Sequence, residues 1–296
     1  MFKGSIVALV TPMQATGTID KKSLHNLIEW HITAQTDGLV IAGTTGEAPT
    51  LKKDEQFELL QTVVKQVAKR IPVIAGTGTN STESTLELSQ NAQKAGADAC
   101  LIVTPYYNKP TQKGLYEHFK KIAENINIPI ILYNVPNRTG CDLLPETVEK
   151  LAKIRNIIGI KEATGNPDRA ADILKRCGNA FMVYSGDDAT ALSLLLLGAQ
   201  GVISVTANVA PEKMHLMCKA AMTGNRSLAE KINQELMPLH QKLFLEPNPI
   251  PVKWAVKEMG LIPEGIRLPL TPFDEKFHAE LHAAMKTAGV YECEKQ

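Results

Sequence analysis

Eight short runs of β-branched and apolar residues recur along the chain, and they narrow its possible folds more than any other feature. They are Ser5–Val10, Gly38–Ala42, Pro72–Ala75, Ala99–Val103, Pro129–Tyr133, Ile157–Ile160, Ala180–Tyr184 and Gly201–Val205. Each has the length and continuous apolar character of a parallel strand buried on both faces. Between them lie segments of helical periodicity. Leu24, Leu27, Ile28 and Ile32 share one face of Asp20–Thr36, and Phe57, Leu60, Val64 and Val67 one face of Lys53–Arg70. Asn80-Ser81-Thr82-Glu83 offers an N-cap at the start of a helix over Ser81–Ala95, Pro145 suits the first turn of another, and Gly96 and Gly198 suit helix C-termini. Strand–helix alternation with short loops makes a parallel sheet covered by helices, and eight units close a barrel. An α/β fold is therefore expected, a (β/α)8 TIM barrel over residues 1–224, in preference to an open doubly wound sheet.

From residue 225 no further strand pattern appears. Three helices are expected, Ala229–Phe244, Ile250–Met259 and Asp274–Ala288, separated by proline-rich links. Residues 225–296 read as a C-terminal helical extension packed on the barrel.

Composition excludes several classes of function. The 32 Lys and Arg balance 31 Asp and Glu, which gives no electrostatic pull toward nucleic acid or an anionic membrane. Leu192–Leu197 falls far short of the roughly 20 apolar residues of a membrane span, and Ile6–Val10 is too short for a signal-peptide core. Five widely separated cysteines without a C-x-x-C pair argue against a disulfide framework and against a thiolate metal site. A cytoplasmic protein with reduced, mostly buried thiols is expected.

In such barrels the C-terminal strand ends carry the chemistry. Lys161 directly follows the sixth run, and alternation puts Gly159 on its face, leaving room beneath the lysine. An amine held in a dry barrel mouth can add to a carbonyl and form a Schiff base; an ordinary solvated lysine fits the same position. Tyr133 ends the neighbouring fifth run and suits proton transfer or simple packing. Arg138 suits bidentate capture of a carboxylate or a surface ion pair. The turn Gly43–Glu47 offers the hydroxyls of Thr44 and Thr45 beside backbone N–H groups, which suits a small carboxylate. It lacks the Gly-Lys-Ser/Thr ending of a phosphate loop. His278 and His282 are spaced i, i+4 without the glutamate of a zinc protease and read as a solvated helix face. Asp187-Asp188 reads as a helix cap rather than a metal site.

Three segments, Gly38–Glu47, Tyr133–Gly140 and Gly159–Thr164, resemble the pyruvate-dependent class I aldolase superfamily and, within it, the dihydrodipicolinate synthase family. The likeness runs from Gly4 to Lys253. It implies Schiff-base condensation of pyruvate with L-aspartate 4-semialdehyde, feeding diaminopimelate and lysine synthesis. It further implies that Lys161 forms the Schiff base and that Thr44 and Thr45 hold the pyruvate carboxylate. Tyr133, Thr44 and Tyr107 would form a proton relay, with Tyr107 reaching into the neighbouring subunit's site. Arg138 would bind the carboxylate of the second substrate, and Ile203 and Gly186 would line the pocket. A homotetramer of two tight dimers is implied, with no metal or organic cofactor in the chemistry. A sugar-acid lyase such as N-acetylneuraminate lyase would share Lys161, Tyr133 and Thr44-Thr45, but not generally Arg138. A non-catalytic ligand-binding barrel would not need Lys161 or Tyr133.

Regulated members of the family bind L-lysine at a dimer interface. This chain keeps Asn80 and Tyr106, but has Ser84 where those members carry glutamate, and Lys53 and Gln56 where they often carry histidines. Weak or absent inhibition by L-lysine is expected.

Overall fold

The protein was analysed as a computed structural model that describes residues 2–290. Eight parallel strands close into a barrel in chain order: β1 Gly4–Ala8, β2 Gly38–Ile41, β3 Val73–Gly76, β4 Ala99–Val103, β5 Ile130–Asn134, β6 Ile157–Glu162, β7 Met182–Ser185 and β8 Gly201–Ser204. Every expected run forms a strand. The helices of the barrel layer are α1 Lys21–Thr33, α2 Lys53–Val67, α3 Thr82–Ala95, α4 Gln112–Ala123, the short α5 Pro136–Thr139, α6 Pro145–Leu151, α7 Pro167–Cys177, α8 Ala191–Leu196 and α9 Pro211–Met222. Then follow α10 Arg226–Lys242, α11 Ile250–Glu258 and α12 His278–Thr287, with α10 packed on α9 and α12.

Local chemistry sets these boundaries. The Asp20 carboxylate caps α1 by accepting from the backbone N–H groups of Lys22 and Ser23, and Ser81 caps α3 through Ser84. Pro145 occupies the first turn of α6. Gly96 ends α3 at φ +86°, a left-handed conformation that a side chain would strain.

Two apolar clusters follow from strand alternation. Ile6, Val40, Ile74, Leu101, Ile131 and Ile203 fill the barrel interior. Val7, Leu39, Ile102, Leu132, Ile160 and Val183 belong to the larger layer between strands and helices.

Some expectations change. His278 and His282 do not form a solvated face: His278 stacks on Trp254 at 4.4 Å, and His282 lies 4.7 Å from the same ring while bonding Glu258 at 3.1 Å. Cys100, Cys141 and Cys218 are buried and Cys177 is half-buried; Cys293 lies outside the described residues. Among the described residues no helix is long and apolar enough to cross a membrane.

Candidate active site

Lys161 lies within β6 rather than after it, and its direction is decided by an irregularity in the sheet. The pairing of β5 with β6 runs Ile130 with Ile157, then Ile131 with Gly159. Two residues, Ile158 and Gly159, thus oppose one, which is a bulge. Ile157 packs in the outer layer, so undisturbed alternation would send Lys161 outward too. The extra residue reverses the faces and turns Lys161 into the barrel. There it pairs in register with Tyr133 on β5 and Tyr184 on β7.

The lysine is 5% exposed. Its Nζ lies 4.3 Å from the centroid of the Tyr133 ring, and among the described residues it has no hydrogen bond or ion pair. Space for it comes from a different glycine than alternation suggested. A Cβ on Gly186 would stand 2.8 Å from Lys161 Cε and 2.7 Å from Ala163 Cβ, so only glycine fits under the side chain. A Cβ on Gly159 would instead meet the Met182 carbonyl at 2.5 Å, so that glycine serves the approach of β7 to β6. Ile203 on β8 is fully buried in the same interior cluster as Tyr133. The Tyr184 hydroxyl donates to the Phe2 carbonyl at 2.7 Å, and burial pushes this phenol above its ordinary range.

Thr44 and Thr45 follow β2. Thr45 is buried and its hydroxyl accepts from Asn248 Nδ2 at 3.0 Å. Thr44 is half-buried, and its hydroxyl has no hydrogen bond among the described residues. The turn is anchored from below. Glu47, at φ +59° and 2% exposed, pairs with Lys253 of α11 and accepts from the Arg267 backbone N–H at 3.0 Å. Burial pushes the Lys253 ammonium below the ordinary lysine value, and Glu47 pulls it back.

Arg138 sits on α5, exposed, with Nη2 3.3 Å from the Asn248 carbonyl. Asn248 therefore touches both Thr45 and Arg138. Sequence reasoning gave it no role, and its burial is visible only in the structure. Tyr107 stands apart from this group. It is 88% exposed at φ +75°, held by a backbone bond from its N–H to the Thr139 carbonyl at 3.1 Å.

The aspartate pair divides its work. Asp187 is not the helix cap expected: the N-cap of α8 is Thr190, and Asp187 accepts from the N–H and hydroxyl of that residue. Asp188 does not cap: its carboxylate accepts from the backbone N–H groups of Val205 and Thr206, both at 2.9 Å, and so fixes the end of β8.

A buried, unpaired amine against a phenol, with an arginine at the rim, suits carbonyl chemistry on an acidic substrate. Comparison with known proteins agrees. Residues 1–288 match the model of the Dihydrodipicolinate synthetase family. A 4-hydroxy-tetrahydrodipicolinate synthase from Thioalkalivibrio sulfidiphilus is 60% identical over 98% of this chain and 99% of its own length. That of Pseudomonas aeruginosa is 59% identical over the same shares. The crystal structure of the chloride inhibited dihydrodipicolinate synthase from Acinetobacter baumannii complexed with pyruvate matches with a TM-score of 0.97 at 52% identity, covering 98% of this chain and 100% of that one. The chain belongs to the dihydrodipicolinate synthetase family, lyases of the class I aldolase type that make 4-hydroxy-tetrahydrodipicolinate.

Proposed function

We propose that Lys161 is the Schiff-base lysine of this lyase and that it joins pyruvate to L-aspartate 4-semialdehyde. The observation that carries this reading is the isolation of the Lys161 nitrogen, which is buried and faces only the Tyr133 ring at 4.3 Å. A buried ammonium without a counter-ion is costly, and a fold keeps one where a reactive amine is needed.

In this mechanism the Lys161 amine adds to the pyruvate C2 carbonyl, and loss of water leaves an imine. Thr45 donates its hydroxyl proton to the pyruvate carboxylate, since that oxygen already accepts from Asn248. Thr44 offers the second hydroxyl. Removal of a C3 proton gives the enamine, whose C3 attacks the aldehyde carbon of the second substrate. Arg138 holds that substrate's carboxylate at the rim. Tyr133, Thr44 and Tyr107 carry the protons that leave C3 and arrive on the new alkoxide. The amino group of the second substrate then displaces Lys161 from the imine carbon, closing the ring and restoring the free lysine. Ile203 and Gly186 line the pocket. The sequence of steps calls on no metal or organic cofactor.

We also infer a homotetramer of two tight dimers, in which Tyr107 completes the neighbouring subunit's relay. A tyrosine 88% exposed in a left-handed conformation supports this, because such strain persists where surroundings hold it. The four free thiols of the described residues suit a reducing, cytoplasmic setting. Residues 1–224 and 225–296 are proposed as barrel and extension, the latter lending Asn248 and Lys253 to the site.

A direct assay compares L-aspartate 4-semialdehyde plus pyruvate with N-acetylneuraminate cleavage. Turnover of the first pair alone is expected. Comparable or faster cleavage of the sugar acid would overturn the substrate assignment.

A further inference from the structure

We propose that a polar network on the outer face of the barrel, Asn134–Asp142–Glu162–Arg169, positions Lys161 and Tyr133 for reaction. This rests on the assignment of Lys161 as the Schiff-base lysine.

The argument starts from the strand ends. Tyr133 pairs with Lys161, and the next pair along the two strands is Asn134 with Glu162. Alternation turns the first pair into the barrel and the second pair outward. Asn134 is fully buried and Glu162 is 2% exposed, so both polar side chains lie in a dry layer where each needs partners. They find them in a closed set. Asn134 Nδ2 donates to Asp142 Oδ1 at 2.8 Å and to Glu162 Oε2 at 3.3 Å. Arg169 in the first turn of α7 donates from Nε to Glu162 Oε2 at 3.1 Å. Its two Nη groups grip Asp142 bidentately, at 3.0 and 2.9 Å. The second Glu162 oxygen accepts from the Thr164 N–H at 2.8 Å, and Asn134 Oδ1 accepts from the Leu143 N–H at 3.0 Å.

Three of the four members sit one or a few residues from a proposed catalytic or binding group. Asn134 follows Tyr133, Glu162 follows Lys161, and Asp142 lies four residues after Arg138. Through Arg169 the loop that carries Asp142 is tied to the paired ends of β5 and β6. None of the four faces the barrel interior, so they act on the reaction through Lys161 and Tyr133.

Stability alone does not require this arrangement, because a buried ionic cluster is often replaced by apolar packing without loss of stability. Fixed geometry does require it. An amine that must approach a carbonyl along one line, beside a phenol that must exchange a proton, tolerates little displacement. A misplacement of about 1 Å can lower a rate by roughly a hundredfold.

The test measures the single-turnover rate at which borohydride traps pyruvate on Lys161, together with kcat and KM, in Glu162→Gln, Arg169→Met and the double variant. All are assayed at a temperature where circular dichroism reports full folding. The control is Asp37→Asn. Asp37 lies at the opposite end of the barrel, where its carboxylate accepts from the Ser5 N–H at 2.8 Å and pairs with His215 at 2.9 Å. Trapping and kcat are expected to fall together by roughly 10- to 100-fold in the network variants, with KM for the second substrate nearly unchanged. Asp37→Asn should lower the melting temperature and leave the trapping rate at the wild-type value. Should Arg169→Met fail to fold, Glu162→Gln, which keeps the shape and loses only the charge, carries the test. Folded network variants that trap pyruvate at the wild-type rate would overturn the proposal, as would an equal loss in Asp37→Asn. Wild-type protein that traps pyruvate nowhere, or at another lysine, would overturn the Schiff-base assignment instead.

Discussion

Lys161 and Lys253 are both 5% exposed, yet the fold treats them in opposite ways. Lys253 on α11 meets the carboxylate of Glu47, whose other oxygen is bonded to the Arg267 backbone. Its charge is neutralised and its direction fixed, and it ties the extension to the turn that carries Thr44 and Thr45. Lys161 has the face of Tyr133 at 4.3 Å and no acid. The difference teaches that burial by itself does not mark a reactive lysine. What marks one is burial without a counter-ion, in a space that a glycine, here Gly186, keeps open. The other members of the site divide along the same line, since Asp188 and Glu162 are fully engaged while the Thr44 hydroxyl is free among the described residues.

The sharpest way to break the comparison is to replace each lysine by methionine. Lys161→Met should abolish turnover while leaving the melting temperature unchanged or raised, because it removes a buried polar group that has no hydrogen-bond partner among the described residues. Lys253→Met should cost about 3–5 kcal/mol, since it strands the buried Glu47 carboxylate, and should lower but not abolish turnover in whatever fraction stays folded, through the loosened Thr44-Thr45 turn. Calorimetry and activity on both variants decide the matter. Equal destabilisation by the two would erase the distinction.

A smaller effect is expected at the rim. Arg138→Ala should lower kcat/KM for L-aspartate 4-semialdehyde by about a hundredfold while pyruvate trapping stays near the wild-type rate. Equal losses in both measurements would assign Arg138 to the first substrate or to the fold. Tyr107→Phe comes next. It should lower turnover by about tenfold or more with sedimentation unchanged, because only a proton-carrying hydroxyl is removed. Full activity would remove Tyr107 from the relay.

The smallest effect concerns L-lysine, which should change the rate little even at millimolar concentration. The reason is now narrower than the sequence suggested. Lys53 is paired with Glu87 at 2.5 Å, so its repulsion of a ligand ammonium is largely cancelled. Ser84 in place of an acid remains the argument, because a ligand amine would lack its ion pair. Steady-state rates with and without lysine test it, and strong saturable inhibition below a millimolar would contradict it.

Much of the fold was legible because eight buried strands and their helices repeat one pattern, so each unit corroborates the next. Lys161 and Tyr133 were legible as reactive types at strand ends and Arg138 as a cation in the loop beyond, and the family resemblance implied the roles proposed for them. What stayed hidden depends on contacts between distant segments. Alternation put Gly159 with Lys161 correctly, but the bulge that turns them inward rests on pairing with β5. The glycine that makes room directly follows the neighbouring strand β7 and is not the Gly159 of the lysine's own strand. Asn248 reaches Thr45 across 203 positions of sequence, and no local pattern announces such a contact. The His278 and His282 pair appeared solvated because its partner, Trp254, lies on another helix of the extension.

The central claim is that the unpaired buried lysine is the nucleophile. Incubating the protein with pyruvate and borohydride, digesting it and mapping the adduct by mass spectrometry tests this directly. The account predicts one adduct, with the mass of a reduced pyruvate imine, on Lys161 alone, and none on Lys253. An adduct on any other lysine, or no adduct in active enzyme, would contradict it.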